Sequence, residues 1–443
     1  MSRIVIVGAG SAAFSKSLIS DIVMTRELNG STIALCDIDA EALDHTTRLA
    51  KRMVIEAEAD ITIESSTERL DVLPNADFVI LTVSVGGKPA WEKDLDIPLK
   101  YGIIQPIGDS VGPGGLSRAL RLLPVVLDIC HDMEDLCPNA LLLNYSNPKS
   151  CVCSAIHQYS NIRAVGLCHE LNATHRELAK YLDAPYEETS VIAAGLNHFN
   201  WILNFDVQGQ DGLILLRDKF DREGVPENMI VCASLFRIFG AFPIPGDRYV
   251  SEFIPWFLNQ ESDYGKKFGL YSMRDYGQNT EYWTDIIDHL DGYMRRSNES
   301  AIDIIVALQD GRSVSKSPES LRNEQRSFRT VKMFDAVNIP NYGLITNLPE
   351  GSIVEIPATI SQFGIRGVSI GDLPHGIATM ISQRLYQQHL IVEAAVNGDK
   401  ALALQAMLLD PMIQSLEIAE TMLDELLEAH EGYLPRFYDM GDG

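Results

Sequence analysis

Two segments carry side chains whose types and spacing could do chemistry: VGLCHE at residues 165–170 and AGLNHFNW at residues 194–201. Cys168 ends a short apolar run that is typical of a strand, and His198 follows a β-rich run about thirty residues later. A thiolate and an imidazole can hold a divalent metal ion, and two protein ligands leave positions open for substrate oxygens and water. A lone cysteine is more often a small apolar side chain, so the spacing alone leaves both interpretations open.

A glycine-rich turn near residue 10 has the pattern of a dinucleotide-binding site. Residues 3–7, RIVIV, predict a strand, residues 8–13 read GAGSAA, and residues 14–24 have the apolar spacing of a helix. The first glycine permits a tight turn, the second lets the backbone approach a pyrophosphate, and the small last residue lets strand and helix pack closely. The alternative is a Rossmann turn that binds no nucleotide. The predicted cofactor-binding residues here are Gly8, Gly10, Ser11, Ala12, Phe14 and Asp37.

Asp37 and Ser84 follow two further predicted strands. Asp37 comes directly after residues 31–36, where its carboxylate could accept hydrogen bonds from ribose hydroxyls and would repel a ribose phosphate. This favours NAD over NADP. Ser84 opens SVGGK at the carboxyl end of a buried run, the edge where ligands of open parallel sheets bind. Its predicted place is near the nicotinamide or the ribose, with a plain flexible loop as the alternative.

The alternation of apolar runs with helical patterns predicts an α/β fold. We expect an N-terminal Rossmann-type doubly wound parallel sheet, with a C-terminal mixed α+β domain. Further strands are expected at residues 61–64, 77–84, 140–145, 163–168, 338–347 and 352–359, and residues 374–430 should be largely helical. The predicted division is 1–195 for NAD binding and 196–443 for substrate binding, catalysis and oligomerisation. No low-complexity linker separates them, so the boundary marks a change of role.

Two loop residues are further candidates for the site. Asp109 lies in IGDSVGPGG, a glycine- and proline-rich loop before a long predicted helix, and such loops often carry function. Asn147 follows a predicted strand and precedes Pro148, which suits the first position of a helix. Either residue could instead be only a helix or turn cap. Asn147 could also point into the cleft and hydrogen-bond a sugar hydroxyl.

The composition limits the classes of partner. Thirty-six basic against sixty-one acidic residues give a formal charge of −25, which would repel nucleic acid and anionic membranes. The N-terminus lacks a signal-peptide pattern, and no apolar run is long enough to span a bilayer. Seven scattered cysteines fit reduced thiols better than a disulfide framework. We therefore expect a cytoplasmic protein.

Seven motifs in register resemble glycoside hydrolase family 4, the NAD- and Mn²⁺-dependent glycosidases. They are VGAGSAAF, DID, GDSVGPGG, NYSNP, VGLCHE, GLNHFNW and PGDRYVSEFIPWF, and the resemblance runs from residue 3 to beyond residue 430. It implies that Cys168 and His198 are ligands of Mn²⁺ or another divalent metal and that Asn147 contacts the substrate. The same resemblance assigns Gly8, Gly10, Ser11 and Asp37 to the dinucleotide.

The resemblance also implies a mechanism, an exception to the usual pair of glycosidase carboxylates. NAD⁺ takes hydride from sugar C3, which acidifies the hydrogen at C2, and the metal stabilises the resulting charge as a Lewis acid. A base removes the C2 proton, the C1–O bond breaks by elimination, water adds, and hydride returns to C3. The net reaction is hydrolysis of the O-glycosidic bond without net oxidation.

The resemblance implies roles for several further side chains. We choose Asp247, in PGDRY, as the base because some members have an aspartate at this motif, with Tyr249 as the runner-up because others use a tyrosine. Arg248 could keep either one ionised or bind a substrate carboxylate; the alternative is a surface turn with a weak ion pair. His169 and Asp109 are candidates for protonating the leaving group or orienting the nicotinamide end.

The substrate inferred from the resemblance is an unphosphorylated α-galactoside or α-galacturonide. Members that act on phosphorylated α-glucosides tend to have aspartate after the metal cysteine, where this chain has His169. An α-glucosidase or α-glucuronidase of the same family is an alternative, as is an NAD-dependent hydroxy-acid or sugar dehydrogenase. The resemblance suggests a homodimer or homotetramer.

Overall fold

A computed structural model describes residues 1–11, 14–272, 294–297, 299–309 and 331–438. In these ranges thirteen strands join one sheet. The strands are β1 Arg3–Val7, β2 Ser31–Cys36, β3 Ile61–Ser66, β4 Phe78–Leu81, β5 Leu141–Asn144, β6 Arg163–Gly166, β7 Thr189–Leu196, β8 Phe199–Val207, β9 Gln210–Asp211, β10 Phe242–Ile244, β11 Lys332–Pro340, β12 Ile353–Ser361 and β13 Gly364–Gly367.

The strand order shows where the Rossmann half ends. From one edge it reads β3-β2-β1-β4-β5-β6, all parallel, and it continues through β11, β12, β7, β8 and β10, which pair antiparallel. The first six strands have the order of a dinucleotide-binding doubly wound sheet. The predicted fold class, a parallel Rossmann-type half followed by a mixed part, is confirmed.

The helices cover both faces of this sheet. Those described are α1 Ser15–Val23, α2 Ala40–Glu56, α3 Arg69–Val72, α4 Gly87–Lys100, α5 Gly112–Leu136, α6 Lys149–Tyr159, α7 Glu170–Tyr181, α8 Gly212–Glu223, α9 Ile230–Phe239, α10 Asp247–Glu252, α11 Ala301–Gln309, α12 His375–Asn397, α13 Lys400–Leu408, α14 Leu416–Ala429 and α15 Pro435–Tyr438. None of the helices within the described ranges is both long enough and apolar enough to cross a bilayer.

The C-terminal helices pack against the N-terminal half. Buried apolar side chains of α12, α13 and α14 join those of α5, α6 and the parallel strands in one core cluster. Residue 195 itself lies within β7, in the middle of the continuous sheet. The packing shows no gap at residues 195 and 196, and the division of roles between the two parts stays a prediction.

Two sequence-based boundaries differ from the structure. The strand expected at residues 338–347 runs instead from Lys332 to Pro340, and Asn341 then folds the chain back by bonding to the carbonyl oxygens of Ile345 and Leu348. The helical stretch expected at residues 374–430 is three helices, because Gly398 has φ of +68° and Asp399 caps the start of α13.

The register of the parallel strands determines which loops meet. Leu81, Asn144 and Gly166 lie side by side at the carboxyl ends of β4, β5 and β6. The segments that follow therefore leave the sheet at the same edge, the usual ligand-binding edge of an open α/β sheet. Those segments contain Ser84, Asn147 and Cys168.

Candidate active site

The glycine turn after β1 is built by close backbone contacts. The backbone N–H groups of Gly8 and Ala9 both donate to the carbonyl oxygen of Cys36, at 2.9 Å. Gly8 has φ of +88°, and a Cβ there would lie 2.7 Å from the carbonyl carbon of Thr82. A Cβ on Gly10 would lie 2.8 Å from a carboxylate oxygen of Asp37. Only glycine fits at both positions, as a close pyrophosphate-binding turn requires.

Asp37 is tied to this turn directly. Its carboxylate accepts hydrogen bonds from the backbone N–H of Gly10 at 2.7 Å and of Asp39 at 2.9 Å. A carboxylate has about four lone-pair sites, so acceptor capacity remains for ribose hydroxyls. Ala12 lies outside the described residues, and Phe14 packs its ring 5.4 Å from that of Tyr145. These geometries fit a dinucleotide.

Ser84 and Asn147 are linked through Arg118. The guanidinium of Arg118 donates to the Ser84 hydroxyl at 3.0 Å and to the backbone carbonyl of Asn147 at 2.8 Å. The loops after β4 and β5 are therefore held together by a side chain of α5. Sequence reasoning did not identify Arg118.

His198 lies at the end of a chain of hydrogen bonds. Its Nδ1 is 2.7 Å from the hydroxyl oxygen of Ser110, and that hydroxyl donates to the Asp109 carboxylate at 2.7 Å. Because the serine proton is committed to Asp109, Nδ1 must be the protonated nitrogen, which leaves Nε2 with its lone pair. Burial lowers the pKa of His198 to about 3. Within the described ranges Nε2 has no hydrogen-bond partner, so the site presents a neutral imidazole ready to bind a metal.

Cys168 lies in the loop after β6, before α7. Desolvation raises the pKa of its thiol to about 12, while the Lys149 ammonium acts in the opposite direction. A metal ion deprotonates a coordinating thiol outright, so this thiol suits metal binding better than free nucleophilic chemistry. No group of three or more His, Cys, Asp or Glu side chains with metal-binding geometry occurs in the described ranges. If Cys168 and His198 bind a metal, as predicted, that site would have two protein ligands and open positions for other ligands.

Glu355, on β12, holds the turn that carries His198. Its carboxylate accepts from the side-chain amides of Asn197 at 2.8 Å, Asn200 at 3.0 Å and Asn338 at 2.8 Å. Asn197 and Asn200 flank His198, whose φ of +63° is uncommon for a residue with a side chain. The hydrogen bonds to Glu355 keep this strained turn in place. Sequence reasoning missed it because Glu355 is on a distant strand with no motif around it.

Asp247 and Tyr249 occupy the same short helix and have different environments. The Asp247 carboxylate accepts hydrogen bonds from the backbone N–H groups of Val231 and Cys232, each at 2.9 Å, at the start of α9. The Tyr249 ring lies 4.1 Å from the His198 ring, between centroids. Burial raises the pKa of Tyr249 well above its usual value, and the nearby Asp109 charge adds to this. Arg248, between them, is half-buried.

Glu252 connects this helix to the Asp109 loop. Its buried carboxylate accepts from the backbone N–H of Gly108 at 2.9 Å and from that of Ile107 at 2.5 Å. Its own carbonyl oxygen accepts from the Arg384 guanidinium at 3.0 Å. The helix with Tyr249 and the loop with Asp109 are therefore positioned as one unit.

The pKa values of His169 and Asp109 are shifted in opposite directions. The His169 Nδ1 lies 3.0 Å from the Glu299 carboxylate, and that hydrogen bond raises the pKa of the imidazole. Burial alone would raise the pKa of Asp109, but the Arg118 guanidinium and the hydrogen bonds from Ser110 and Asn147 lower it below its usual value. His169 is thus suited to donate a proton, whereas Asp109 is a carboxylate.

Family models match two successive parts of the chain. The Family 4 glycosyl hydrolase model matches residues 3–184, and the model of that family's C-terminal domain matches residues 193–325 and 328–413. The chain belongs to glycosyl hydrolase family 4. The predicted family and the prediction of a glycoside hydrolase are confirmed.

Relatives along the full length agree with this family. An alpha-galactosidase of Bacillus subtilis strain 168 is 31% identical, with 99% of this chain and 100% of the relative covered. An alpha-glucosidase of Erwinia rhapontici is 30% identical, with 98% and 99% covered. The crystal structure of a B. subtilis protein described as a glucosidase, lplD, has a TM-score of 0.82 and 26% identity, with 96% and 100% covered.

Proposed function

We propose that this family 4 enzyme hydrolyses an unphosphorylated α-galactoside or α-galacturonide with NAD and a divalent metal, of which Mn²⁺ is the first candidate. The observation that carries the proposal is the neutral His198 imidazole, whose Nε2 is unpartnered in the described ranges, in a cluster with Tyr249, Asp109, Asn147 and Cys168. When bound, NAD would exchange hydride with the sugar and the metal would act as a Lewis acid.

The protein residues supply binding and proton transfer. Gly8, Gly10 and Asp37 would hold the dinucleotide, and Cys168 and His198 would hold the metal. Asn147 is a candidate substrate contact, although its amide already donates to Asp109 at 2.9 Å. A substrate hydroxyl would therefore share or replace that bond.

Tyr249 is the better candidate for the base that removes the C2 proton. Its ring packs against His198, whereas both Asp247 oxygens accept backbone hydrogen bonds from the start of α9. A carboxylate that accepts from the first N–H groups of a helix is stabilised there as a cap, whereas the Tyr249 ring contacts a proposed metal ligand. A metal ion beside the Tyr249 hydroxyl would oppose the burial that raises its pKa.

His169 is the better candidate for protonating the leaving group. The hydrogen bond with Glu299 raises the pKa of its imidazole, and its side chain is 39% exposed, so it can exchange protons with water. Asp109, held as a carboxylate and bonded to Ser110 and Asn147, is suited to orienting those side chains.

The proposed sugar class rests on the His169 position and on the alpha-galactosidase relative. The alpha-glucosidase relative keeps an α-glucoside as the second candidate. We further propose a homo-oligomer in the cytoplasm, from the family resemblance and the reduced cysteines, all seven of which are free.

A panel of nitrophenyl glycosides tests the proposal. Both anomers of neutral, uronic and 6-phospho sugars are assayed with NAD⁺, Mn²⁺ and a thiol reductant in D₂O. We expect release of nitrophenol from the α-galactoside or α-galacturonide, deuterium at C2 of the released sugar, and no accumulation of NADH. Stoichiometric NADH would indicate the dehydrogenase alternative, and hydrolysis without C2 deuterium would contradict the mechanism.

A further inference from the structure

Lys149 is a buried cation without an ionic partner in the described ranges. It begins α6, is 4% exposed, and lies against β6, where a Cβ on Gly166 would come within 3.0 Å of its Cγ. Its ammonium donates one hydrogen bond, to the Asn147 side-chain oxygen at 3.2 Å. An ammonium has three donors, so two are left for a ligand. Burying a charge in this way is costly unless something pairs with it.

Other buried cations of the molecule show what a purely structural cation looks like. Arg121 forms an ion pair with Asp94, and Arg384 forms one with Asp410, with both partners of each pair at most 1% exposed. Both guanidiniums also bond to backbone carbonyls. Lys149 lacks such an arrangement within the described ranges.

The neighbours of Lys149 place it in the candidate active site. Its charge acts on the Cys168 thiol, the His198 imidazole and the Glu170 carboxyl. Through Asn147 it connects to Asp109, and Asp109 connects through Ser110 to His198. The free donors are therefore beside the proposed metal ligands.

We propose that Lys149 is a catalytic residue whose ammonium hydrogen-bonds the sugar oxygen at C3, where negative charge develops when the proton at the neighbouring C2 is removed from the 3-keto sugar. This inference rests on the proposed function. A fixed cation aimed at developing charge lowers the barrier because it needs no reorganisation during the reaction. This oxygen is uncharged both as the hydroxyl of the bound substrate and as the ketone formed after hydride transfer, so the contact should affect kcat more than KM. A uronide carboxylate is attached at C5, which C4 separates from C3, so it is a different contact from the one proposed.

The test compares Lys149→Met, of similar length without charge, with Lys149→Arg, which keeps the charge. Lys100→Met is the control, because Lys100 is an exposed lysine that pairs with Glu425. On both a neutral α-galactoside and the matching galacturonide, we expect Lys149→Met to lower kcat about 10²- to 10³-fold with KM changed less than about threefold. Lys149→Arg should recover part of the loss, and the deuterium isotope effect at C2 should rise in Lys149→Met.

Direct Mn²⁺ binding, followed by electron paramagnetic resonance without substrate, separates this role from a structural one. Removing a nearby cation should leave Mn²⁺ affinity unchanged or higher. Weaker Mn²⁺ binding, a loss of kcat of less than about threefold, or a KM increase restricted to the galacturonide would each overturn the assignment. A wild-type enzyme without NAD-dependent turnover would overturn the proposed function as well, whereas normal wild-type turnover with an equally fast Lys149→Met would overturn only the role of Lys149.

Discussion

The glycine turn after β1 and the hairpin turn between β7 and β8 are the two turns on which the proposed chemistry depends, and they are built differently. Residues 8–11 are held by backbone atoms and by Asp37 at the end of the next strand. Residues 197 and 198 are held by side chains of Ser110 and Glu355. These partners lie 88 and 158 positions away in the sequence.

The two turns differ because the ligands proposed for them have different requirements. A pyrophosphate needs a backbone that can come close, which glycine allows by having no side chain. A histidine that binds a metal needs its second ring nitrogen hydrogen-bonded so that the first is correctly oriented, and at His198 the Ser110 hydroxyl provides this bond. Substitutions should therefore impair NAD binding and metal binding independently.

The largest effect is expected from Cys168→Ser. A serine hydroxyl is a poor substitute for a thiolate ligand, so metal-dependent turnover should be abolished while NAD binding, measured by calorimetry, persists. Cys137→Ser is a matched control, because Cys137 caps the far end of α5. Full activity in Cys168→Ser would remove the metal-ligand assignment.

Tyr249→Phe and Asp247→Asn form the next comparison. If Tyr249 is the base, its loss should lower kcat about 10²- to 10⁴-fold without unfolding the protein. Asp247→Asn should mainly lower the thermal unfolding temperature, because an amide in place of the carboxylate weakens the cap of α9. If instead Asp247→Asn lowered kcat by this amount and Tyr249→Phe did not, Asp247 would be the base.

Glu355→Gln tests the three hydrogen bonds that hold the turn between β7 and β8. The variant keeps the shape of the side chain and places an N–H₂ group against three asparagine amides, so the His198 turn should loosen. We expect Mn²⁺ affinity to fall about 10- to 100-fold with NAD affinity unchanged. Gly10→Ala should lower NAD affinity and leave Mn²⁺ affinity unchanged, because the added Cβ would displace Asp37. If both variants weakened both ligands equally, the two turns would not be independent.

The same difference between local and distant contacts explains which features the sequence alone could predict. The strands β1 and β2 and the glycine turn between β1 and α1 depend on neighbouring residues, and the sequence alone predicts them. Cys168, His198 and Tyr249 were found through family motifs. Ser110 and Glu355 acquire their roles from contacts that form only when distant segments meet. Lys149 bonds to the nearby Asn147, but only the fold shows that this lysine is buried and acts on Cys168 and His198. Choosing between Asp247 and Tyr249 likewise required the position of α9.

The smallest effect on turnover is expected from Glu252→Gln, which keeps an acceptor for the Ile107 and Gly108 N–H groups, so kcat should fall less than roughly tenfold.

The stability of the protein should respond to Glu252 more clearly than turnover does, through its dependence on pH. Burial raises the pKa of Glu252 to about 8, above the value near 4.5 of an exposed glutamate. The folded state then holds this proton more tightly than the unfolded state, so the stabilisation is complete below pH 4.5 and is lost as pH rises through about 8. Urea unfolding between pH 5 and 9 should show wild-type stability decreasing across this window and a flatter profile in Glu252→Gln, because a neutral amide has no proton to lose. Parallel profiles would mean that the carboxylate bonds to the loop as well when charged, and the coupling between the Tyr249 helix and the Asp109 loop would then be insensitive to pH.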